Sequence, residues 1–389
     1  MRKILTFMTA LTGFGLLSAP LAWAGSVNLE IVDAHAQKIM KKPGMVGLAI
    51  AVIEDGELIF TKGYGETKKG SGDPVTADTV FRWASVSKSI AAATVLDLSE
   101  DGYFDIENPA NLHAPSLNLP RSRNAAKIED LMSHRTGIKR NEGDRKIEAG
   151  HTAKPLRGKL TEARRMCPPG TCHTYQNVAY DATAEIAETV TGLPYKSIVN
   201  ERIFKPLGMT TATTTLAGLQ RSKSWAKPHF YSGRTVKSVK PTYYRIPGAA
   251  GVNSSVTDLA KWMNAQMVEG DDVLSSSVKA AMQTPYVITP REQRGFRRKF
   301  DRSGDAFYGY GWRVYNYKGR RIVGHRGAVQ GYRSMVIFDP ELKTGMAMLW
   351  NTGTGFPIEM QMDVIDMAHA PDKGDLAGLP GDKALFETP

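Results

Sequence analysis

A serine and a lysine three residues apart are the first side chains in this sequence that could perform catalysis together. They are Ser85 and Lys88 in the segment Ser85-Val86-Ser87-Lys88, and this spacing places both on one face of a helix. A serine hydroxyl becomes a nucleophile when a neighbour takes its proton, which a lysine amine does where burial or nearby positive charge disfavours its charged form. A helix N-terminus would also stabilise an oxyanion. The alternative is an N-cap serine beside a solvated lysine.

Two further segments contain groups that could complete such a site. Tyr175-Gln176-Asn177 supplies a phenol that can relay protons and an amide that can hold a substrate carbonyl or the lysine. His325-Arg326-Gly327 follows a predicted strand at 320–324; we expect His325 to point into a cleft and Gly327 to let a substrate backbone come close. Taken alone, Tyr175 could be a core residue, Asn177 a helix cap and His325 a surface histidine.

The elements that must position these groups are strands near both chain ends and helices between them. Apolar periodicity and turn residues predict strands at 46–53, 58–62, 312–317, 320–325, 332–339 and 345–351. Helices are predicted at 31–40, 85–98, 128–133, 180–190, 194–204, 255–267 and 356–367, with Ser255-x-x-Asp258 as a capping box. This order indicates an α+β fold whose sheet is assembled from both chain ends, with a mostly helical region inserted.

The N-terminus has the pattern of a secretory signal peptide. A basic start at Arg2 and Lys3 precedes a largely apolar run at 4–21 and the cleavage form Ala22-Trp23-Ala24. We therefore expect a periplasmic or secreted protein cut after Ala24; an uncleaved membrane anchor is the alternative. The remainder is interpreted as one domain at 25–370, with a helical subdomain at about 85–230, and a poorly ordered tail at 371–389.

Two cysteines are the only thiols in the sequence. Cys167 and Cys172 are separated by Pro-Pro-Gly-Thr, a turn-forming spacer that favours a local disulfide in an oxidising compartment. Two free thiols are the alternative. A zinc site would need more ligands than this pair and the adjacent His173 supply.

Taken together and in order, these motifs resemble the class C β-lactamase and penicillin-binding-protein-like serine hydrolases. This group includes D,D-carboxypeptidases, D-aminopeptidases and carboxylesterases. The resemblance covers most of residues 40 to 367. The segments that carry it are Trp83 to Ser89, Leu131 to Gly137, Pro168 to Gly170, Tyr175 to Asn177, Ile203 to Met209, Ala249 to Val252, Tyr310 to Trp312 and Gly324 to Gly327.

The resemblance implies an antiparallel sheet with flanking helices and a role for each site residue. Ser85 would be the acylated nucleophile, Lys88 and Tyr175 the proton-transfer pair, and Asn177 a substrate-orienting amide. His325 and Gly327 would line the substrate, and the backbone N–H groups of Ser85 and Ala328 would form the oxyanion hole. No cofactor or metal is expected.

The segment His325-Arg326-Gly327 departs from the pattern of efficient β-lactamases. Those enzymes usually carry Lys-Thr-Gly, which holds a substrate carboxylate, whereas this chain has His-Arg-Gly. A neutral imidazole binds a carboxylate less well than an ammonium, and strand alternation predicts that Arg326 faces away from His325. The sequence therefore predicts a serine hydrolase acting on β-lactam, D-Ala-type amide or ester substrates. The alternative is a penicillin- or peptidoglycan-binding protein of the same fold with little turnover.

Composition limits the range of partners. The chain has 389 residues, 42% of them hydrophobic, and a net charge of +11, which is ordinary for a globular protein with a substantial core. A basic stretch in a predicted loop could attract anionic envelope polymers; it comprises Arg291, Arg294, Arg297, Arg298, Lys299 and Arg302. A small-molecule or peptidoglycan-derived substrate is expected, and nucleic acid is not, because the chain has no recognised binding motif.

The signal pattern generates the first testable prediction. Protein recovered from its native host should begin at Gly25, because Ala22 and Ala24 occupy the small-residue positions that signal peptidase requires. Intact-mass analysis checks this. A mature protein that retains residues 1–24 would contradict it.

Overall fold

The architecture was established from a computed structural model, which describes residues 27–123, 125–236, 238–270 and 273–369. The predicted signal peptide at 1–24 and the predicted tail at 371–389 lie outside these residues. The strands, numbered β1 to β10, are Gly47–Glu54, Glu57–Gly65, Phe81–Arg82, Asn253–Ser254, Val287–Ile288, Asp305–Tyr308, Arg313–Tyr317, Arg320–Val329, Tyr332–Asp339 and Thr344–Trp350.

Eight of these strands form one antiparallel sheet in the order β2-β1-β10-β9-β8-β7-β6-β5. The N-terminal hairpin joins the C-terminal strands through β1 and β10, where Leu48 pairs with Trp350 and Ile53 with Gly345. β3 and β4 form a separate two-stranded sheet. The predicted α+β fold, with an antiparallel sheet built from both chain ends, is confirmed.

Most of the helices lie between β3 and β5 in the chain. The α-helices, numbered α1 to α14, are Leu29–Met40, Ser87–Glu100, Ala110–His113, Ile128–Met132, Asp144–Glu148, Ala153–Gly158, Ala182–Thr191, Tyr195–Val199, Leu216–Arg221, Pro247–Ala250, Val256–Ala265, Ser276–Gln283, Pro290–Lys299 and Asp363–His369. None of the helices formed by the described residues combines the length and apolar character needed to cross a bilayer.

Helices cover both faces of the sheet. Along β1, Ala49 and Ala51 belong to one buried apolar cluster, whereas Leu48, Ile50 and Val52 belong to a second one. Successive side chains of a strand point to opposite faces, so each face of β1 contributes to its own core. This two-sided burial explains why β1 is apolar at almost every position rather than alternating.

The larger core surrounds α2, the helix that follows Ser85. Apart from Lys88, Asp97 and Glu100 its residues are apolar or small, and eleven of its fourteen residues are buried. A helix of this composition lies in a protein interior. Lys88, on its first turn, is consequently fully removed from solvent.

Helix caps define the first residues of two helices, α1 and α11, and only the second cap was predicted. The Asn28 side chain accepts hydrogen bonds from the backbone N–H groups of Glu30 and Ile31 at the start of α1. Ser255 caps α11 by accepting from the Asp258 N–H at 3.2 Å. The predicted capping box is only half formed, because the Asp258 carboxylate accepts from the Thr211 N–H instead.

Several predicted boundaries are wrong. The basic stretch at 291–302 is mainly helix α13, not a loop. Pro290 occupies its first turn, and its last-turn cations Arg297, Arg298 and Lys299 complement the helix dipole. The attraction of this stretch to anionic polymers stays a prediction.

Two predicted helices are divided in the structure. The one at 356–367 is a 3₁₀ turn at Phe356–Met360 followed by α14. The one at 194–204 changes from α8 to a π-helical turn at Asn200–Phe204.

Strand β8 lies directly against the turn that carries Ser85, and a glycine makes this possible. A Cβ on Gly327 would lie 2.1 Å from the Trp83 carbonyl oxygen and 2.2 Å from the Ser334 hydroxyl. The approach of a substrate backbone to Gly327, expected from the sequence, stays a prediction. In the structure the close neighbours of a Cβ at this position belong to the chain itself.

This close approach predicts that Gly327→Ala is destabilising. The added methyl overlaps a backbone oxygen that cannot rotate away, so the free energy of unfolding should fall by about 1–3 kcal/mol. Urea unfolding followed by tryptophan fluorescence measures the change.

Gly295→Ala is the matched control, because Gly295 lies inside α13 and a Cβ there would contact nothing within 4 Å. Helix propensity predicts unchanged or slightly higher stability for this variant. Equal stability of the two variants would contradict the steric argument.

Candidate active site

Ser85 lies on a tight turn between β3 and α2. A 3₁₀ turn at Ala84–Val86 precedes the α-helix, which begins at Ser87 rather than at Ser85 as predicted. Ala84 has a φ of +50°, a strained conformation for a residue other than glycine. Ser85 is half-buried and lines a cleft of about 790 Å³. The turn thus presents the hydroxyl to solvent at the N-terminus of a buried helix.

The Lys88 ammonium group has three acceptors. It donates to the Ser85 Oγ at 3.4 Å, to the Asn177 Oδ1 at 2.7 Å and to the Ala249 carbonyl oxygen at 3.0 Å. These acceptors come from three separate segments of the chain. The predicted Ser85–Lys88 pair is therefore in contact, and Asn177 binds the lysine.

Asn177 also connects the lysine to a carboxylic acid that sequence analysis missed. Its Nδ2 donates to the Asp144 Oδ2 at 2.7 Å. Asp144 begins α5 and lines the cleft with Ser85. Burial raises the pKa of Asp144 to about 6, while the Asn177 hydrogen bond and the nearby Lys88 limit the rise. No sequence pattern indicated this residue, which lies in a region without a readable motif.

Tyr175 lines the same cleft, and its ring is surrounded by cations. Its centroid is 4.8 Å from the Lys88 Nζ, 5.2 Å from the Arg140 Cζ and 5.9 Å from the Arg313 Cζ. Positive charge at these distances stabilises negative charge that develops on the phenol oxygen during proton transfer. Neither arginine was identified from the sequence.

A buried histidine, His134, packs against the ring of Tyr175. The ring centroids of His134 and Tyr175 are 4.1 Å apart, and the His134 Nδ1 accepts the Gln176 backbone N–H at 3.1 Å. Burial, together with the charge of Lys88, holds the pKa of His134 well below its usual value. His134 is therefore a neutral packing and hydrogen-bonding residue.

The disulfide lies just before this tyrosine in the chain. Cys167 and Cys172 are bonded, as the sequence predicted. The loop that they close is attached to the His134 segment, because the Gly170 N–H donates to the Arg135 carbonyl at 2.8 Å and the Thr174 N–H to the His134 carbonyl at 2.8 Å. The disulfide thereby constrains the segment of the chain that leads to Tyr175.

His325 is placed differently from the expectation. It is buried, and both ring nitrogens are used inside the protein: Nδ1 donates to the Arg326 carbonyl at 2.9 Å, and Nε2 accepts from the Tyr308 hydroxyl at 2.9 Å. Burial and the charge of Arg313 hold its pKa well below the usual value. The imidazole is thus neutral and lies behind Tyr175, with the ring centroids 6.4 Å apart.

Arg326, predicted to face away from His325, lines the cleft with Ser85, whereas His325 does not. Its guanidinium donates to Glu292 of α13. Burial would raise the pKa of Glu292, but Arg313 and Arg326 outweigh that effect and lower it to about 2. This part of the cleft therefore contains a cation, Arg326, which forms an ion pair with the Glu292 carboxylate.

Ala328 also lines this cleft and is exposed, so its backbone is accessible from the cleft that contains Ser85. In the part of the chain that the structure describes, no three or more histidine, cysteine or acidic side chains cluster so as to hold a metal ion.

Comparison with known proteins assigns the family. The family model described as Beta-lactamase matches residues 32–365, and the chain belongs to this family. Its fold is similar to that of an octameric penicillin-binding protein homologue from Pyrococcus abyssi, with a TM-score of 0.75 and 25% identity over 84% of this chain and 74% of that one.

Two curated relatives are hydrolases. Unguisins hydrolase ungD' of Aspergillus campestris is 29% identical over 80% of this chain and 59% of its own length. The D-alanyl-D-alanine-carboxypeptidase/endopeptidase AmpH of Escherichia coli is 27% identical over 66% of each chain. The chain thus spans about three fifths of the first relative's length and about two thirds of the second's.

The raised pKa of Asp144 predicts a pH dependence. The folded protein binds this proton more tightly than the unfolded chain does, so between pH 3.8 and about 6 the carboxyl lowers the free energy of unfolding as pH rises. Asp144→Asn should remove this contribution. The free energy of unfolding of the variant should therefore rise relative to that of the wild type between pH 3.8 and about 6. Urea unfolding at several pH values measures it.

Catalysis provides a second readout. We expect kcat/KM of the wild type to rise through pH 6, because ionised Asp144 is the stronger acceptor for Asn177, and we expect Asp144→Asn to lack this inflection. Glu142→Gln removes a charge from the same loop and should keep the inflection. A profile of Asp144→Asn identical to that of the wild type would contradict the role.

Proposed function

We propose that the protein is an exported serine hydrolase that forms an acyl-enzyme at Ser85. The observation that supports this proposal most directly is the buried Lys88 ammonium group, held by Asn177 and Ala249 within 3.4 Å of a hydroxyl that is open to a cleft. A lysine with a purely structural role would not need a solvent-accessible serine hydroxyl as its third hydrogen-bond acceptor. The proposed export rests on the sequence pattern at 1–24 and on the disulfide.

In the proposed reaction the Ser85 oxygen attacks a substrate carbonyl while its proton passes to the deprotonated Tyr175 oxygen. The Lys88 ammonium, which donates to the Ser85 Oγ, stays charged and stabilises the negative charge on both oxygens. The tetrahedral oxyanion accepts hydrogen bonds from the backbone N–H groups of Ser85 and Ala328, beside the positive end of α2. Collapse breaks the bond to the leaving amine or alcohol, which takes a proton from Tyr175. Water then attacks the ester at Ser85, and the same groups return the proton to the serine.

The proposed substrates are β-lactam, D-Ala-type amides or esters. Names of the relatives support amide hydrolysis: one acts on D-alanyl-D-alanine peptides and one on unguisins. The neutral, internally bonded His325 cannot supply the ammonium of the Lys-Thr-Gly motif. In this proposal Arg140 and Arg326, which both line the cleft, provide the positive charge for a substrate carboxylate.

The proposal predicts that Ser85→Ala abolishes acylation and turnover. Labelling by a fluorescent penicillin and a fluorophosphonate measures the first, and rates with nitrocefin, a D-Ala-D-Ala peptide and a short-chain nitrophenyl ester measure the second. Tyr175→Phe should lower the acylation rate roughly 10³-fold or more, because the members of a proton-transfer unit act together.

Ser99→Ala is the matched control, since Ser99 lies at the far end of α2 and its hydroxyl donates to the Phe104 carbonyl. This variant should retain wild-type rates. A labelled but non-turning-over Ser85 adduct would favour the penicillin-binding alternative. Wild-type turnover by Ser85→Ala would exclude the whole proposal.

A further inference from the structure

A second cavity adjoins the catalytic cleft on the far side of Ala328. Its volume is about 510 Å³, and its wall includes the turn between β8 and β9 at Gln330 and Gly331. Ala328, Glu148 and Tyr243 line both this cavity and the cleft that contains Ser85. The second cavity therefore begins at the residue whose N–H is proposed to bind the oxyanion.

Arg82 is the unusual group in this cavity. It lines the wall, yet the residue is only 3% exposed, and its Nε and Nη2 have no hydrogen-bond partner among the described residues. The guanidinium carbon lies 4.2 Å from the centroid of the Tyr244 ring, a contact that offers no acceptor oxygen. Burying a charge without an acceptor or counter-ion is unfavourable, so this guanidinium lacks an anion.

The remaining charges of the cavity do not supply that anion. Arg333 and Lys240 also line it, and Arg333 donates to uncharged groups, the Gly353 carbonyl at 3.0 Å and the Tyr231 hydroxyl at 2.9 Å. Glu148 is the only acid among the described lining residues. Its carboxylate already accepts from the Tyr243 hydroxyl at 2.8 Å.

The position of the proton-transfer groups indicates which half of a substrate would enter. Tyr175 lines the catalytic cleft together with Arg326, but Tyr175 is not among the described residues that line the second cavity. A leaving group must lie beside the residues that protonate it. The acyl half of the substrate therefore extends past Ala328 into the second cavity.

We propose that this cavity binds a carboxylate carried by the acyl half of the substrate, with Arg82 as its principal ligand. The planar guanidinium can donate two parallel hydrogen bonds to one carboxylate. Arg333 and Lys240 add positive charge. This inference rests on the proposed acyl transfer at Ser85, and it narrows the substrate class to acyl groups with a free carboxylate.

A pair of esters that differ in one group tests the proposal. The probes are 4-nitrophenyl hydrogen glutarate and 4-nitrophenyl valerate, in which a methyl replaces the carboxylate, with uncatalysed hydrolysis subtracted. The wild type should prefer the glutarate, and Arg82→Gln should lower the ratio of the two kcat/KM values about 10- to 100-fold. Arg82→Lys should restore part of the ratio.

Arg221→Gln removes one exposed positive charge outside both cavities and should leave the ratio unchanged. If Arg82→Gln does not fold, Arg333→Gln takes its place with the same expected direction. A wild type without preference for the glutarate, or a ratio that these cavity variants do not alter, overturns the proposal.

Direct binding separates this proposal from the catalytic one. Calorimetric titration of glutarate into Ser85→Ala should show binding that is lost in the Ser85→Ala/Arg82→Gln double variant. Binding of this kind in a protein that turns over no ester, β-lactam or D-Ala-D-Ala peptide and is not acylated at Ser85 would refute the proposed function and leave the cavity assignment standing. Equal glutarate affinity in the two variants would refute the cavity assignment alone.

Discussion

The packing around Lys88 is the constraint on which the site depends. A lysine with no solvent contact must have each donor satisfied, because an unpaired buried charge costs several kcal/mol. Its acceptors are the Ser85 hydroxyl, the Asn177 side chain and the Ala249 carbonyl. These come from the turn before α2, the segment before α7 and helix α10. One buried charge thus joins three distant parts of the chain, so the contacts around the Ser85 hydroxyl also stabilise the fold.

Much of the fold could be predicted because apolar periodicity is a local signal. The strand predicted at 332–339 matches β9 residue for residue, and the nearly continuous apolar sequence of β1 follows from its position between two helical layers. The failure at α13 has a physical cause. A helix with five arginines and lysines resembles a solvated loop in composition, and only Phe296 on its inner face is buried.

The site was predictable in its residue types but not in its contacts. The Ser-x-x-Lys spacing brings Ser85 and Lys88 together on a single helix. By contrast, Asp144 reaches Lys88 only through Asn177, a connection across separate loops. The pattern His-Arg-Gly also could not show that the Tyr308 hydroxyl donates a hydrogen bond to the Nε2 of His325. Such pairings depend on the packing of segments that are far apart in the sequence.

The two ends of the site differ in how their positive charge is balanced. At one end Arg326 is paired with Glu292, a carboxylate that Arg313 also stabilises. At the other end Arg82 has the Tyr244 ring beside it, and its Nε and Nη2 have no hydrogen-bond partner among the described residues. An anion arriving at Arg326 must compete with an ion pair, whereas one arriving at Arg82 meets an uncompensated charge. Selectivity for an anionic group is therefore expected to be greater at the second cavity.

The pairing of β1 with β10 has a consequence for biosynthesis. The N-terminal hairpin can form as soon as it leaves the ribosome, but its inner edge has no partner until Thr344–Trp350 has been synthesised. The central sheet therefore closes only after translation of the whole domain, as in other topologies of high contact order, which fold slowly. Until then the inner edge of the hairpin stays exposed, and an unpaired strand edge of this kind favours aggregation of incomplete chains.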